Sequence, residues 1–113
     1  MQILQKPLHR ENLKQIALVI FGNMVKGVVD IDSGLLALDA ELHSDLEALL
    51  LKNGSQQKNL WGINLYPENA ADDFIEFDSL INVRPSQGNR SRGVEDVSTR
   101  WKIVNVVMKW VAL

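Results

Sequence analysis

The 113-residue chain contains no cysteine. Disulfides, thiolate metal sites and a thiol nucleophile are therefore excluded. No apolar run approaches the ~20 residues that cross a bilayer, so neither a transmembrane helix nor a membrane partner is expected. The N-terminus, MQILQKPLHRENL, lacks the long apolar stretch of a secretory signal. Proline is scarce, at three residues, and there is no repeat, low-complexity run or linker. One domain over 1–113 is the expectation, large enough for a core without staples. The motifs G-x-x-x-x-G-K-[ST], G-x-G-x-x-G and G-x-S-x-G are all missing, and no cofactor is expected. An excess of positive charge is missing too, the net charge being −2. An acidic chain is a poor general nucleic-acid binder, because phosphate affinity grows with the number of phosphates neutralised. A reduced cytoplasm is the setting these features suggest.

What is present is unevenly distributed. Residues 30–78 hold eleven acids against Lys52 and Lys58, a net −9. Residues 84–109 hold six bases against Glu95 and Asp96, a net +4, and four of the five arginines lie between 84 and 100. Three of those four sit in RPSQGNRSRG, residues 84–93.

Apolar spacing predicts a helix over 10–25 through Leu13, Ile16, Ala17, Ile20 and Met24. His9 is its expected N-cap, Leu8 and Leu13 a hydrophobic staple, and Gly27 its stop. GVVDIDSGLLALDAEL reads as a hairpin turning at Asp32-Ser33-Gly34, with Asp30 and Asp32 as strand-end and turn residues. Residues 45–52 favour a helix, with Ser44 and Glu47 at capping-box spacing, but Asn53-Gly54 is also a hairpin signal. LWGINLY (60–66) alternates as a strand, with Trp61, Ile63 and Leu65 on one face and Gly62, Asn64 and Tyr66 on the other. Residues 74–84 read as a second strand with a bulge or bend near Asp78-Ser79. A final helix is expected from about Glu95, with Glu95 and Asp96 in its first turn. The fold class is therefore α+β: a mainly antiparallel sheet of four to five strands, with the N- and C-terminal helices on one face and the other face open as a functional surface.

ELHSDLEALLLKNGS, LWGINLYP and DFIEFDSLINVRPSQGNRSRGV together resemble a family of small uncharacterised prokaryotic proteins of about this length. The resemblance spans roughly residues 5–110 and is most specific in FDSLINVRPSQGNRS. It implies a stand-alone prokaryotic protein and brings no activity, ligand or catalytic residue.

Three functions are open, and whether the chain is an enzyme is among the questions. A loop between a strand and a helix N-terminus can cradle phosphate, with arginines as bidentate partners. This gives a binding module for a phosphate-bearing small molecule, nucleotide or RNA, using Arg84, Ser86, Asn89, Arg90, Ser91 and Arg92, with Asn64 and Asn82 beside them. The alternative for the loop is pairing with the chain's own acids. If strands 60–66 and 74–84 pair antiparallel, Asn64 faces Glu76 and Gly62 faces Asp78, leaving space over the glycine. Glu76 and Asp78, about 7 Å apart at ~3.3 Å per residue, would serve a metal-assisted hydrolase as catalytic carboxylates; the plainer reading is a solvated sheet face. ELHSD offers Glu41, His43 and Asp45, but one nearby histidine is too few for zinc, so no metal site is expected and His43 reads as a surface residue near a helix start. Last, the broad apolar surface of 101–111 suits either a core helix or a homodimer interface.

Overall fold

The computed structural model describes residues 1–112. Seven strands and three helices run in the order β1 (Gln2–Ile3), β2 (Leu8–His9), α1 (Arg10–Ile20), β3 (Val25–Asp30), β4 (Leu35–Leu38), α2 (His43–Lys52), β5 (Leu60–Leu65), β6 (Ile75–Glu76), α3 (Val97–Trp110) and β7 (Val111–Ala112). Five strands form an antiparallel sheet in the order β1-β4-β3-β5-β6. The short β2 and β7 pair in parallel, fastening the start of α1 to the end of α3. The fold is α+β, as expected.

Both faces of the sheet are covered. On one, Leu13 and Ala17 of α1 and Ile103, Val106 and Val107 of α3 pack against Val25, Val29, Leu36, Leu38, Trp61, Ile63 and Leu65. On the other, Leu46 and Leu50 of α2 pack against Val28, Ala37 and Leu60. All six residues of β5 are buried. The face bearing Gly62 and Asn64 is therefore not the open surface expected from alternation. α2 lies on it, because a sheet with apolar side chains on both sides needs a layer on each.

Local chemistry accounts for most element ends, including those that differ from expectation. His9 caps α1, its Nδ1 accepting the Glu11 amide at 3.1 Å. The helix stops at Ile20 and not at 25, because Gly22 adopts φ +88° and its amide closes on the Ala17 carbonyl at 2.7 Å. Gly27, the expected stop, lies inside β3. α2 is a helix, and Asn53-Gly54 ends it in a Schellman arrangement: Gly54 N–H to Leu51 O at 3.1 Å and Ser55 N–H to Leu50 O at 3.0 Å, with Gly54 at φ +102°. The Ser44–Glu47 capping box does not form; the helix begins at His43 with Leu42 as N-cap and no side-chain cap. The β3–β4 turn is tied by Asp30, which is 1% exposed and accepts from the Asp32 and Ser33 amides and the Ser33 and Ser55 hydroxyls.

The expected strand 74–84 ends after Glu76. Asn64 does face Glu76, and Tyr66 N–H bonds the Phe74 carbonyl at 2.9 Å. The chain then bends at Asp78-Ser79 into a 3-10 turn over Leu80–Asn82. The bend carries the chain across the sheet edge: Ile75 and Phe77 pack on the α1/α3 side, Ile81 on the α2 side. Gly62 does not face Asp78 across a gap. A Cβ there would come within 2.5 Å of the Ser79 Cβ. The glycine admits the chain's own Ser79 and Ile81 side chains, not a ligand.

Candidate functional site

The arginine loop is closed by its own atoms. Arg84 and Asn89 form a bridge, amide to carbonyl at 2.7 and 3.1 Å, around the 3-10 turn Pro85–Gln87 and Gly88 at φ +81°. Buried Asn89 anchors the return: its Nδ2 donates to the carbonyls of Asn82, Ser91 and Gly93, and its Oδ1 accepts the Glu95 amide. Buried Asn82 stands in for the missing strand neighbour of Gly62, accepting its amide at 2.8 Å and donating to its carbonyl at 2.9 Å. Arg84 donates to the carbonyls of Gln57 and Leu60 and stacks 4.2 Å from the Trp61 ring centroid. Burial works against its charge and lowers its pKa; Glu47 acts in the opposite direction.

The loop amides do hold an anion, and it is the protein's own. The Glu95 carboxylate accepts the amides of Arg90 at 2.5 Å and Ser91 at 3.1 Å, which lowers its pKa. Glu95 therefore precedes α3 instead of lying in its first turn. Asp96 is the N-cap, accepting the Thr99 hydroxyl and amide, both at 2.8 Å. The Ser91 hydroxyl accepts the Gly93 amide, while Ser86 and Arg90 are exposed.

A different junction is open. At the start of α2 a cleft of about 210 Å³ is bounded by Lys26, His43, Ser44, Ser79, Leu80 and Arg92. Lys26, Asn64 and Glu76 occupy paired positions on β3, β5 and β6 and so share one sheet face. The Arg92 carbonyl is held by the Ser79 amide at 2.9 Å and by Asn82 Nδ2 at 3.0 Å, which places its side chain at the cleft. Its Nε donates to Asp78 Oδ1 at 2.7 Å. Glu76 Oε1 accepts from Asn64 Nδ2 at 2.8 Å and from the Tyr66 hydroxyl at 3.1 Å. Burial, then this bond, raises the Tyr66 pKa. His43 is 7% exposed, and its Nε2 lies 2.8 Å from the Ile63 carbonyl oxygen. Burial lowers its pKa below 6.5. Asn64 Oδ1, buried and without a hydrogen bond among the described residues, lies near that ring.

Residues 2–110 match the model of a family described as protein of unknown function, DUF5674. The chain belongs to this family. No curated protein and no solved structure matches it.

As the resemblance implied, membership brings no activity, so the chemistry rests on the residues. Of those the sequence singled out, the fold brings Asn64, Glu76, Asp78 and Arg92 together around the α2 cleft. Arg84, Asn82 and Asn89 are drawn into the framework of the loop. Both acids have partners, and among the described residues no group of three His, Cys, Asp or Glu is placed to hold a metal ion. Lys26, Ser44 and Ser79 were missed, and His43 was misplaced on the surface. A signal existed for one of them: Lys26 is the one charged residue inside the apolar run MVKGVV.

Proposed function

We propose that the chain binds a small ligand bearing a phosphate or similar oxyanion in the cleft at the start of α2. The observation that carries this reading is the N-terminus of a ten-residue helix, without a side-chain cap, at a cleft lined by two cations, Lys26 and Arg92. Helix amides without partners and the positive dipole end favour an anion. Ser44 and Ser79 add hydroxyl donors. The volume falls below the ~300–1,000 Å³ usual for drug-sized ligands, which favours a small phosphoester over RNA. The loop contributes Arg92, not its amides.

Calorimetric titration with inorganic phosphate and a small phosphomonoester tests this. Binding should weaken as salt rises from about 0.01 to 1 M, shortening the Debye length from ~30 to ~3 Å. Lys26→Ala and Arg92→Ala should each reduce affinity about three- to tenfold. Salt-indifferent heats, or none, would dismiss the reading.

One observation favours a second reading, self-association through α3. Within 101–111, Ile103, Val106, Val107 and Val111 belong to the core, but Trp101 (64% exposed), Val104 and Met108 form a stripe continuing to Val97. Their 4-3-4 spacing is palindromic, so two antiparallel copies would set Val97 against Met108 and Trp101 against Val104, as an isologous interface requires. A concentration-independent monomer mass by sedimentation would rule it out.

A further inference from the structure

Anion binding alone leaves one group in this cleft without a task. His43 sits in the first turn of α2 with Nε2 against the Ile63 carbonyl. A carbonyl oxygen only accepts, so Nε2 carries the ring proton and the neutral ring keeps a lone pair on Nδ1. Covalent geometry places that atom. Nδ1 is bonded to the ring carbon next to Cβ and so stays closer to the α2 backbone than Nε2, which reaches the Ile63 carbonyl in the sheet, and His43 lines the cleft. Burial, with Lys26 adding to it, holds the ring neutral at pH 7. The carbonyl orients the imidazole as a second group orients a catalytic histidine. Around it stand Lys26, Arg92 and Ser44, at a helix start that has no side-chain cap and carries Asp45 in its first turn.

We propose that this cleft accepts a phosphoryl group on His43 Nδ1 from a small donor of the acyl phosphate or phosphoramidate class. The inference rests on the cleft being a phosphate site. The Nδ1 lone pair attacks phosphorus, forming an N–P bond, as the bond from phosphorus to the leaving group breaks. The electron pair leaves with a carboxylate from an acyl phosphate, or with ammonia from phosphoramidate. Nδ1 has no proton to lose, and Nε2 keeps its own on the Ile63 carbonyl. The charge brought in lies between Lys26 and Arg92, with Arg92 shared between the phosphoryl oxygens and Asp78.

The test treats the full chain with phosphoramidate at neutral pH and follows each histidine by mass spectrometry and phosphorus NMR. The chain has two histidines. His9 is exposed, its Nδ1 held only by the Glu11 amide. Accessibility alone predicts that His9 reacts first. The proposal predicts that His43 reacts at least about tenfold faster, equivalent to ~1.4 kcal/mol in the barrier. The label should be acid-labile and base-stable, and Lys26→Ala should slow its formation. His43→Gln should abolish it, but the ratio in the native chain decides without any variant. His9 leading, or His43 unlabelled, overturns the proposal. If labelling fails while inorganic phosphate still binds by calorimetry, only this inference falls; if phosphate does not bind, the underlying reading falls with it.

Discussion

The starts of α2 and α3 are the same kind of junction, a loop delivering the chain into a helix, and they are finished in opposite ways. At α3, Asp96 caps the helix, Glu95 fills the loop amides, and Asn89 ties the loop into one unit. At α2, no side chain caps the helix, and what surrounds it is Lys26, Arg92 and a buried histidine. The arginine-rich segment is therefore the closed junction, while the segment from the acidic half of the chain is the open one. Local basic composition does not decide whether a helix start is left open; the side chains that cap it do.

Breaking the closed junction should have the largest effect. Asn89→Ala removes four hydrogen bonds at a buried position and strands three carbonyls and an amide. The expected loss is about 3–5 kcal/mol, read from urea unfolding. Next is the clamp joining the two regions. Ser79 borders the cleft and packs against Gly62, while Asn82 braces the loop and hydrogen-bonds the Gly62 backbone. Gly62→Ala should cost about 2–3 kcal/mol through overpacking and shift the melting temperature accordingly. A neutral result would mean that the 3-10 turn is not seated as described.

A pH series separates the junctions with a smaller effect. His43 has a folded pKa below 6.5. Its unfolded form binds the proton more readily, so stability is full above 6.5 and falls as pH drops from 6.5 toward the folded value. Glu95 and Asp96 have folded values below 4.5 and 3.8, so their contribution is lost only as pH falls through those lower values. Unfolding measured between about pH 5 and 6.5 should therefore show a slope that His43→Gln removes. The slope surviving in that variant would place the titration elsewhere. The smallest effect belongs to Arg90, exposed and outside the cleft. Arg90→Ala should leave phosphate affinity within about twofold, by the same calorimetry that detects Arg92→Ala.

Much of the framework was legible. The alternation of LWGINLY, the Asp32-Ser33-Gly34 turn and the His9 cap are local signals, and each appears where it was read. The pairing of Asn64 with Glu76 followed from simple antiparallel register. The error at 74–84 has a physical source: Ile75, Phe77, Ile81 and Val83 do alternate, but Ser79 caps a 3-10 turn by accepting the Ile81 amide, and period-two spacing cannot reveal that interruption. The ambiguity at Asn53-Gly54 was real, because one left-handed glycine serves a hairpin and a helix end equally well.

The amino-acid sequence by itself determined the α+β class, the antiparallel order of neighbouring strands and the absence of thiol chemistry, because these depend on side-chain periodicity, turn residues and composition. Only the tertiary structure decided which carboxylate answers which donor. Glu95 reaching back to the amides of Arg90 and Ser91, and Arg92 meeting Asp78 beside a histidine 49 positions earlier in the chain, depend on where the bend at Ser79 brings separate segments. Charge pairing is set by distances of a few ångströms, and those exist only once the chain has packed.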